Sequence, residues 1–198
     1  MKFEKYVSGG LENNSYYFPD ANLLIDAPRK ISEKISDASI EKVFLTHGHY
    51  DHTDGLLEIL GINPDLEVYV SEDELDFIEN HTPDLFERIS WKLFSEIFEE
   101  NKTSSAEGPE ELACLMQDFP EFKMFKTPGH TPGSVCFLFN NNLFTGDTLF
   151  RGAVGRTDLF GGDEEILQDS LKKIFTLPDE IVVYPGHGEE SQIAIERE

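Results

Sequence analysis

The stretch Thr46-His47-Gly48-His49-Tyr50-Asp51-His52 decides how this chain is read. From His47 to His52 it sets three imidazoles and one carboxylate within six residues. A strand alternates its side chains and a helix rotates them, so neither can aim all four at one point. A loop can, and it can divide them between two nearby ions. Just upstream, Lys42-Val43-Phe44-Leu45 reads as a short buried strand. The cluster therefore sits where a strand ends. Just downstream, Leu56, Leu57 and Leu60 read as one face of a helix stopped by Gly61.

The arrangement recurs along the chain. Of six histidines, His47, His49, His52, His130 and His187 lie in loops that closely follow predicted strands. His81, beside Thr82-Pro83, reads as a surface residue. Asp51 and Asp147 occupy comparable loops, the latter after Leu143-Phe144-Thr145-Gly146. Imidazole nitrogen and carboxylate oxygen suit divalent ions, here zinc, with iron and manganese as alternatives. His130 and His187 each complete one ion's shell, and Asp147 can bridge both. Seven such ligands fit two divalent metal ions with room for water.

Working outward, strand-like and helix-like segments alternate. Tyr16-Tyr17-Phe18 and Asn22 to Asp26 read as strands joined by Pro19-Asp20, and Glu67 to Val70 as another. Lys30 to Ser36 reads as a helix. Ser71 with Glu74 has the spacing of a capping box before Leu75 and Ile78. Thr82-Pro83 opens a second helix, with Leu85, Ile89, Leu93 and Ile97 on one face and Trp91, Phe94 and Phe98 on another. That aromatic face reads as ordinary core; its other use is a pocket lid or a subunit contact, hence a homodimer. Asn101 to Glu111, with Gly108-Pro109, reads as a loop. Phe122 to Lys126, Ser134 to Phe139 and Leu143 to Thr145 read as strands, with Asn140 to Asn142 as a hairpin turn. Asp163 caps a helix bearing Ile166, Leu167, Ser170, Leu171, Ile174 and Phe175, ended by Pro178. Ile181 to Tyr184 is the last strand. Strands and helices in both halves imply sheets covered by helices on their outer faces.

Composition narrows the partners. The chain has 198 residues, 16 basic and 39 acidic, for a net charge of −23. Such a chain is a poor binder of nucleic-acid backbones and of anionic membranes, both of which need Lys and Arg. No apolar run approaches the ~20 residues of a membrane span, and no secretion signal stands behind Met1-Lys2-Phe3. Cys114 and Cys136 form no Cys-x-x-Cys pair and read as reduced thiols near the core. The expectation is a soluble cytoplasmic protein.

The seven-residue cluster resembles the metal signature of the metallo-β-lactamase fold. The remaining motifs stand in that family's order: Pro128-Gly129-His130-Thr131-Pro132-Gly133-Ser134, Thr145-Gly146-Asp147-Thr148-Leu149-Phe150, then Tyr184-Pro185-Gly186-His187-Gly188. The resemblance spans nearly the whole chain. It implies an α/β fold, a four-layer αββα sandwich with the metals at one edge. It implies one domain over 1–198, within which the section at about 71–121 reads from its own residues as acidic and helical. It also implies that His47, His49 and His130 bind one ion, that Asp51, His52 and His187 bind the other, and that Asp147 and a hydroxide bridge them. Asp26 falls where the family has an aspartate supporting the metal loops.

Gly155-Arg156-Thr157-Asp158, within Gly146 to Gly162, is similar to the glyoxalase II group and its short single-domain members. Only 11 residues follow His187, too few for the helical domain with which longer members bind glutathione. The implied activity is metal-dependent hydrolysis of a small acyl thioester by the bridging hydroxide. Asp51 is the catalytic residue that orients the hydroxide and accepts its proton. The rival reading is a persulfide dioxygenase with one iron on His47, His130 and Asp147. A lactonase or another hydrolase of the fold would use the same hydroxide.

The acidity is uneven. From Ser71 to Glu121 there are 15 acidic and three basic residues, whereas Phe122 to Gly162 has two acidic and four basic. Arg151 and Arg156 are the sole basic residues between Lys126 and Lys172. They offer a small anionic substrate a place to bind, and the resemblance sets Arg156 near a substrate-contacting basic residue.

Overall fold

Most apolar strand residues alternate between two destinations, and that alternation builds the layers. The computed structural model describes residues 1–35, 39–100, 113–115 and 122–197. One sheet runs β1 (Glu4–Ser8), β2 (Asn13–Phe18), β3 (Leu23–Ile25), β4 (Lys42–Phe44), β5 (Glu67–Val70) and β6 (Trp91–Leu93), in that spatial order. Its first three strands are antiparallel and β3 to β6 are parallel. The other sheet takes β7 (Phe98–Glu100), β8 (Ala113–Leu115), β9 (Phe122–Lys126), β10 (Val135–Phe139) and β11 (Asn142–Gly146). A ribbon of β12 (Leu149–Phe150) and β13 (Ala153–Val154) stands apart. The second sheet then gains β14 (Val182–Pro185) and β15 (Ser191–Gln192) beside β11.

Tyr16 and Phe18 of β2 turn into a core between the sheets, where they meet Phe44, Phe122, Phe137, Phe139 and Phe144. Tyr17 turns the other way. With Leu24, Val43, Val68 and Val70 it packs under the first helical layer, α1 (Ile31–Lys34), α2 (Tyr50–Thr53), α3 (Leu56–Ile62), α4 (Glu72–His81) and α5 (Pro83–Phe86). On β10, Cys136 and Leu138 likewise face α6 (Glu164–Ile174), which lays Leu167, Leu171 and Ile174 on the second sheet; α7 (Ile193–Glu196) adds Ile193. Three apolar interfaces thus separate four layers, helices–sheet–sheet–helices. Aromatic rings dominate the middle one, edge to face as their quadrupoles prefer; Phe18 and Phe122 lie 5.0 Å apart, Phe44 and Phe94 5.4 Å.

The helix start at Asp163 forms as expected: its carboxylate accepts the Ile166 N–H at 3.0 Å. Ile166 itself is exposed rather than part of the apolar face. Asn140, at φ +52°, turns the tight β10–β11 hairpin.

Three expectations need correction. The helix from Thr82 to Ile97 ends after one turn at Phe86, and Trp91–Leu93 becomes a parallel edge strand on β5. Trp, Ile and Phe are weak helix formers, and the open edge of β5 offers ladder hydrogen bonds that outweigh the helical spacing. Phe94 is buried in the inter-sheet core, and the Trp91 indole N–H donates to the Phe86 carbonyl at 3.0 Å. The core reading therefore holds for Phe94, while Trp91 is half-buried against the first helical layer; the Phe98 side chain lies outside what is described. Next, α3 passes through Gly61 to Ile62 rather than stopping there. Finally, the Ser71 side chain makes no capping bond, and Glu74 turns inward. β1 had no marked apolar pattern to announce it. The loop expected at Asn101 to Glu111 lies outside the described residues.

The thiol of Cys136 is buried, and burial pushes it up to about 11, so it stays protonated. Among the described residues no helix is long and apolar enough to cross a membrane.

Candidate metal centre

Strand direction brings the loops together. β9 and β11 both run antiparallel to β10, and β14 runs parallel to β11, so all three end at one edge of the second sheet. The first sheet meets them there. Val135 N–H donates to Thr46 O at 2.9 Å, Asn14 N–H to Gly186 O at 2.7 Å, and Asn13 bridges His187. Gly146, at φ +48°, makes the approach possible: a Cβ there would lie 2.4 Å from Thr46 Oγ1.

Six supporting contacts fix the rings. Asp26, at φ +58° just after β3, accepts the Thr46 N–H, the Thr46 hydroxyl and His52 Nδ1–H, each at 2.8 Å. Because Thr46 Oγ1 gives its hydrogen to Asp26, it accepts from His47 Nδ1 at 3.0 Å. His130 Nδ1–H donates to the Arg156 carbonyl at 2.8 Å, and His187 Nδ1–H to the Leu11 carbonyl at 3.1 Å. In each of these four rings the proton sits on Nδ1, which frees the Nε2 lone pair as a metal ligand. His49 is the exception. Its Nδ1 faces His130 Nε2 at 2.9 Å.

The free donors gather into three groups, each with its ligand atoms within 4.8 Å of one another: His47, His49 and His130; Asp51, His52 and His187; and His47, His52 and Asp147. Three buried atoms among them, His47 Nε2, His52 Nε2 and Asp147 Oδ1, have no well-formed hydrogen bond among the described residues, and the last two face each other at 3.3 Å. Buried polar atoms are rarely left so, and a divalent cation would satisfy all three. The residues present therefore fit the metal their chemistry suggests.

The electrostatics agree. Burial, with repulsion among the rings, holds His47 and His49 well below the usual imidazole range, the latter at about 4; burial also lowers His130. These three rings are therefore neutral, the form that can offer a lone pair to a metal. Burial opposes charge on His52 too, but the carboxylates of Asp147 and Asp26 outweigh it and raise its pKa. Similarly, burial is outweighed at His187 by Asp51 and Asp147. The two carboxylates are correspondingly lowered against burial, Asp51 by His187, His52 and Asn13, Asp147 by His52, His187 and His130. Positive charge is wanted here, as protons or as metal.

The structure brings together all seven expected donors and Asp26. It treats the arginines differently. The exposed Arg151 guanidinium pairs with Glu189, and that of Arg156 makes two bonds to Asp158, at 2.7 and 2.8 Å. Arg156 meets the histidines through its carbonyl rather than its charge. His81 is exposed and stacks on Phe77, whose ring packs 5.2 Å from His49. Asn13 is a missed member of the site. Fully buried, it donates to Asp51 Oδ2 at 2.9 Å and lies 3.3 Å from His187 Nε2. Its signal was faint: Asn13-Asn14-Ser15 is a wholly buried polar run at the head of β2.

A helix–sheet–sheet–helix sandwich with adjoining imidazole and carboxylate donors at one edge is the architecture of metallo-hydrolases. The chain belongs to the metallo-beta-lactamase superfamily, whose family model matches residues 12–187. Probable metallo-hydrolase YqgX of Bacillus subtilis is 33% identical over 209 aligned residues, covering 100% of this chain and 95% of that protein. Hydroxyacylglutathione hydrolase GloC of Haemophilus influenzae is 32% identical over 164 residues, 81% of this chain and 74% of that protein. Among solved structures, TTHA1623 in a di-iron-bound form has a TM-score of 0.76 at 27% identity, covering 98% of this chain and 96% of that one.

Proposed function

We propose that this chain is a glyoxalase II-like hydrolase of a small anionic acyl thioester, working with two divalent ions. His47, His49 and His130 would hold one ion, Asp51, His52 and His187 the other, with Asp147 between them. The observation that carries this reading is the linking group of His47, His52 and Asp147, which joins the other two groups into one continuous donor set. A single-iron site would use only part of it. The likeness to GloC supports the thioester as substrate class.

Bound divalent ions supply a water of lowered pKa and an electrophilic partner for the carbonyl oxygen. Asp51, steadied by the Asn13 amide, would orient that water and take its proton. The leaving thiol has a pKa of only ~8.5, so no strong general acid is required. Arg151 and Arg156 reach a substrate anion by exchanging Glu189 and Asp158 for it, which costs little because both pairs are solvent-exposed.

The test is elemental analysis of the purified full chain, followed by hydrolysis of a hydroxyacyl-glutathione thioester before and after chelation. The expected result is up to two ions per chain and turnover that vanishes on chelation and returns with zinc, iron or manganese. Unchanged turnover after complete metal removal overturns the mechanism. One iron per chain with oxygen uptake on a persulfide overturns the hydrolase reading.

A further inference from the structure

Beneath the histidines lies a carboxylate that none of the chemistry above uses. We propose that Glu74 is the positioning residue of the His47–His49–His130 set, one buried carboxylate tying the two loops that carry those ligands to each other and to α4. The proposal rests on reading that set as a metal site.

The contacts are specific. Glu74 Oε1 accepts the Gly48 N–H at 2.7 Å, and Gly48 separates His47 from His49. Glu74 Oε2 accepts the Gly133 N–H at 2.7 Å and the Thr131 hydroxyl at 2.9 Å, both in the loop that begins at His130. Because the Thr131 hydroxyl gives its hydrogen to Glu74, it accepts from the Ser134 hydroxyl at 2.6 Å, and Ser134 Oγ in turn accepts the Thr131 N–H at 3.2 Å. Glu74 is fully buried. Its helix touches both loops so closely that neither tolerates a Cβ. At Gly48 one would lie 2.5 Å from Ile78 Cγ1, and at Gly133 2.4 Å from the Glu74 N.

A buried carboxylate is costly unless its oxygens are satisfied. Burial pushes Glu74 up to about 7 even though the Gly48, Thr131 and Gly133 donors pull it down. An apolar side chain would fill the space at less electrostatic cost. What it could not do is hold two separate loop backbones at one distance. Asp26 is the counterpart on the other side, bonded to Thr46 and to the ring of His52. No hydrogen bond joins Glu74 to Asp51, His52 or His187 among the described residues. Its influence is therefore directed at one set of ligands.

The experiment titrates the metal-stripped full chain with Zn²⁺ against a competing chelator dye, which reads two dissociation constants. Glu74→Gln keeps the shape but turns an amide NH₂ toward at least one of three donors. The expected result is a weakening of one ion by about 10–100-fold, the range for supporting contacts of metal ligands, with the other changed less than threefold. The ion is assigned by a cycle. In a His187→Ala background, Glu74→Gln should still weaken the remaining ion; in a His130→Ala background it should change little. Co²⁺ spectra of the same variants should shift only in the band that His130→Ala removes. Thr131→Val deletes one of the three contacts and should weaken the same ion by less, so the test survives if Glu74→Gln folds poorly. Equal loss at both ions, or loss at neither, overturns the proposal and leaves the metal reading standing. A wild-type chain that takes up no Zn²⁺ overturns both.

Discussion

Asp26 and Glu74 lie buried beneath the same cluster of histidines, yet they hold it in different ways. Asp26 ends a strand of the first sheet in a left-handed conformation that aspartate tolerates better than most residues. It bonds directly to a ring, fixing His52 as an Nε2 donor, and through Thr46 it does the same for His47. Glu74 comes from a helix and bonds to no ring. It accepts two backbone amides and a hydroxyl, so it sets where loops sit rather than which nitrogen is free. The difference separates two tasks, tautomer and position, and assigns them to two different carboxylates.

The largest effect should come from removing what joins the two sides. Asp147→Ala deletes the carboxylate that the proposal sets between both ions. Both Zn²⁺ affinities and the hydrolytic activity should fall together, the activity by about a thousandfold or more. Full metal occupancy in Asp147→Ala would contradict its bridging place. Asp26→Asn should be the next largest. An amide NH₂ must then face one of three donors, and Zn²⁺ affinity should fall by about 10–100-fold. Because Asp26 supports rings of both donor sets, both ions should weaken, with the His52 ion the more affected. A loss confined to the His130 side would erase the contrast with Glu74.

The two carboxylates also differ in how visible they were. The seven donors could be read because metal ligation restricts residue type, and because loops that follow strands are where such residues converge; Asp26 was legible only through the family resemblance. Glu74 was read as half of a capping box with Ser71, a pattern internal to four residues. Its real partners stand 26 and 59 positions away, where no local pattern reaches. The stretch from Thr82 to Ile97 failed for a related reason. Apolar residues four apart fit a helix, but the spacing carried no trace of the β5 edge that Trp91–Leu93 actually joins. The layers themselves were accessible, since buried runs such as Val135–Phe139 fit strands covered on both faces. Asn13 was not, because a buried asparagine matters through the one carboxylate it meets.

A titration sharpens the comparison further. In the metal-free chain the Glu74 carboxyl has a pKa raised from 4.5 to about 7 in the folded state. Between those values the folded chain holds a proton that the unfolded chain has lost. The associated stability is fully present below about 4.5 and is lost as pH rises through about 7. Denaturant unfolding of wild type and Glu74→Gln should therefore diverge with pH. Relative to the variant, wild type should gain up to about 3 kcal/mol as pH falls across this window. A pH-independent difference would show that the side chain is not buried as a titrating carboxyl.

The smallest effect should come from a residue that touches the site without supporting it. Arg156 holds His130 through its backbone carbonyl, which any residue supplies, while its guanidinium lies in solvent against Asp158. Arg156→Ala should leave both Zn²⁺ affinities unchanged, unlike any variant of Asp26 or Glu74. If the guanidinium exchanges Asp158 for the anionic part of the substrate, KM should rise between about threefold and tenfold while kcat stays within about twofold. That pattern identifies binding shared by ground and transition states. A fall in metal affinity would instead mean that the Arg156–Asp158 pair shapes the loop holding His130, which would add a third support to the two carboxylates.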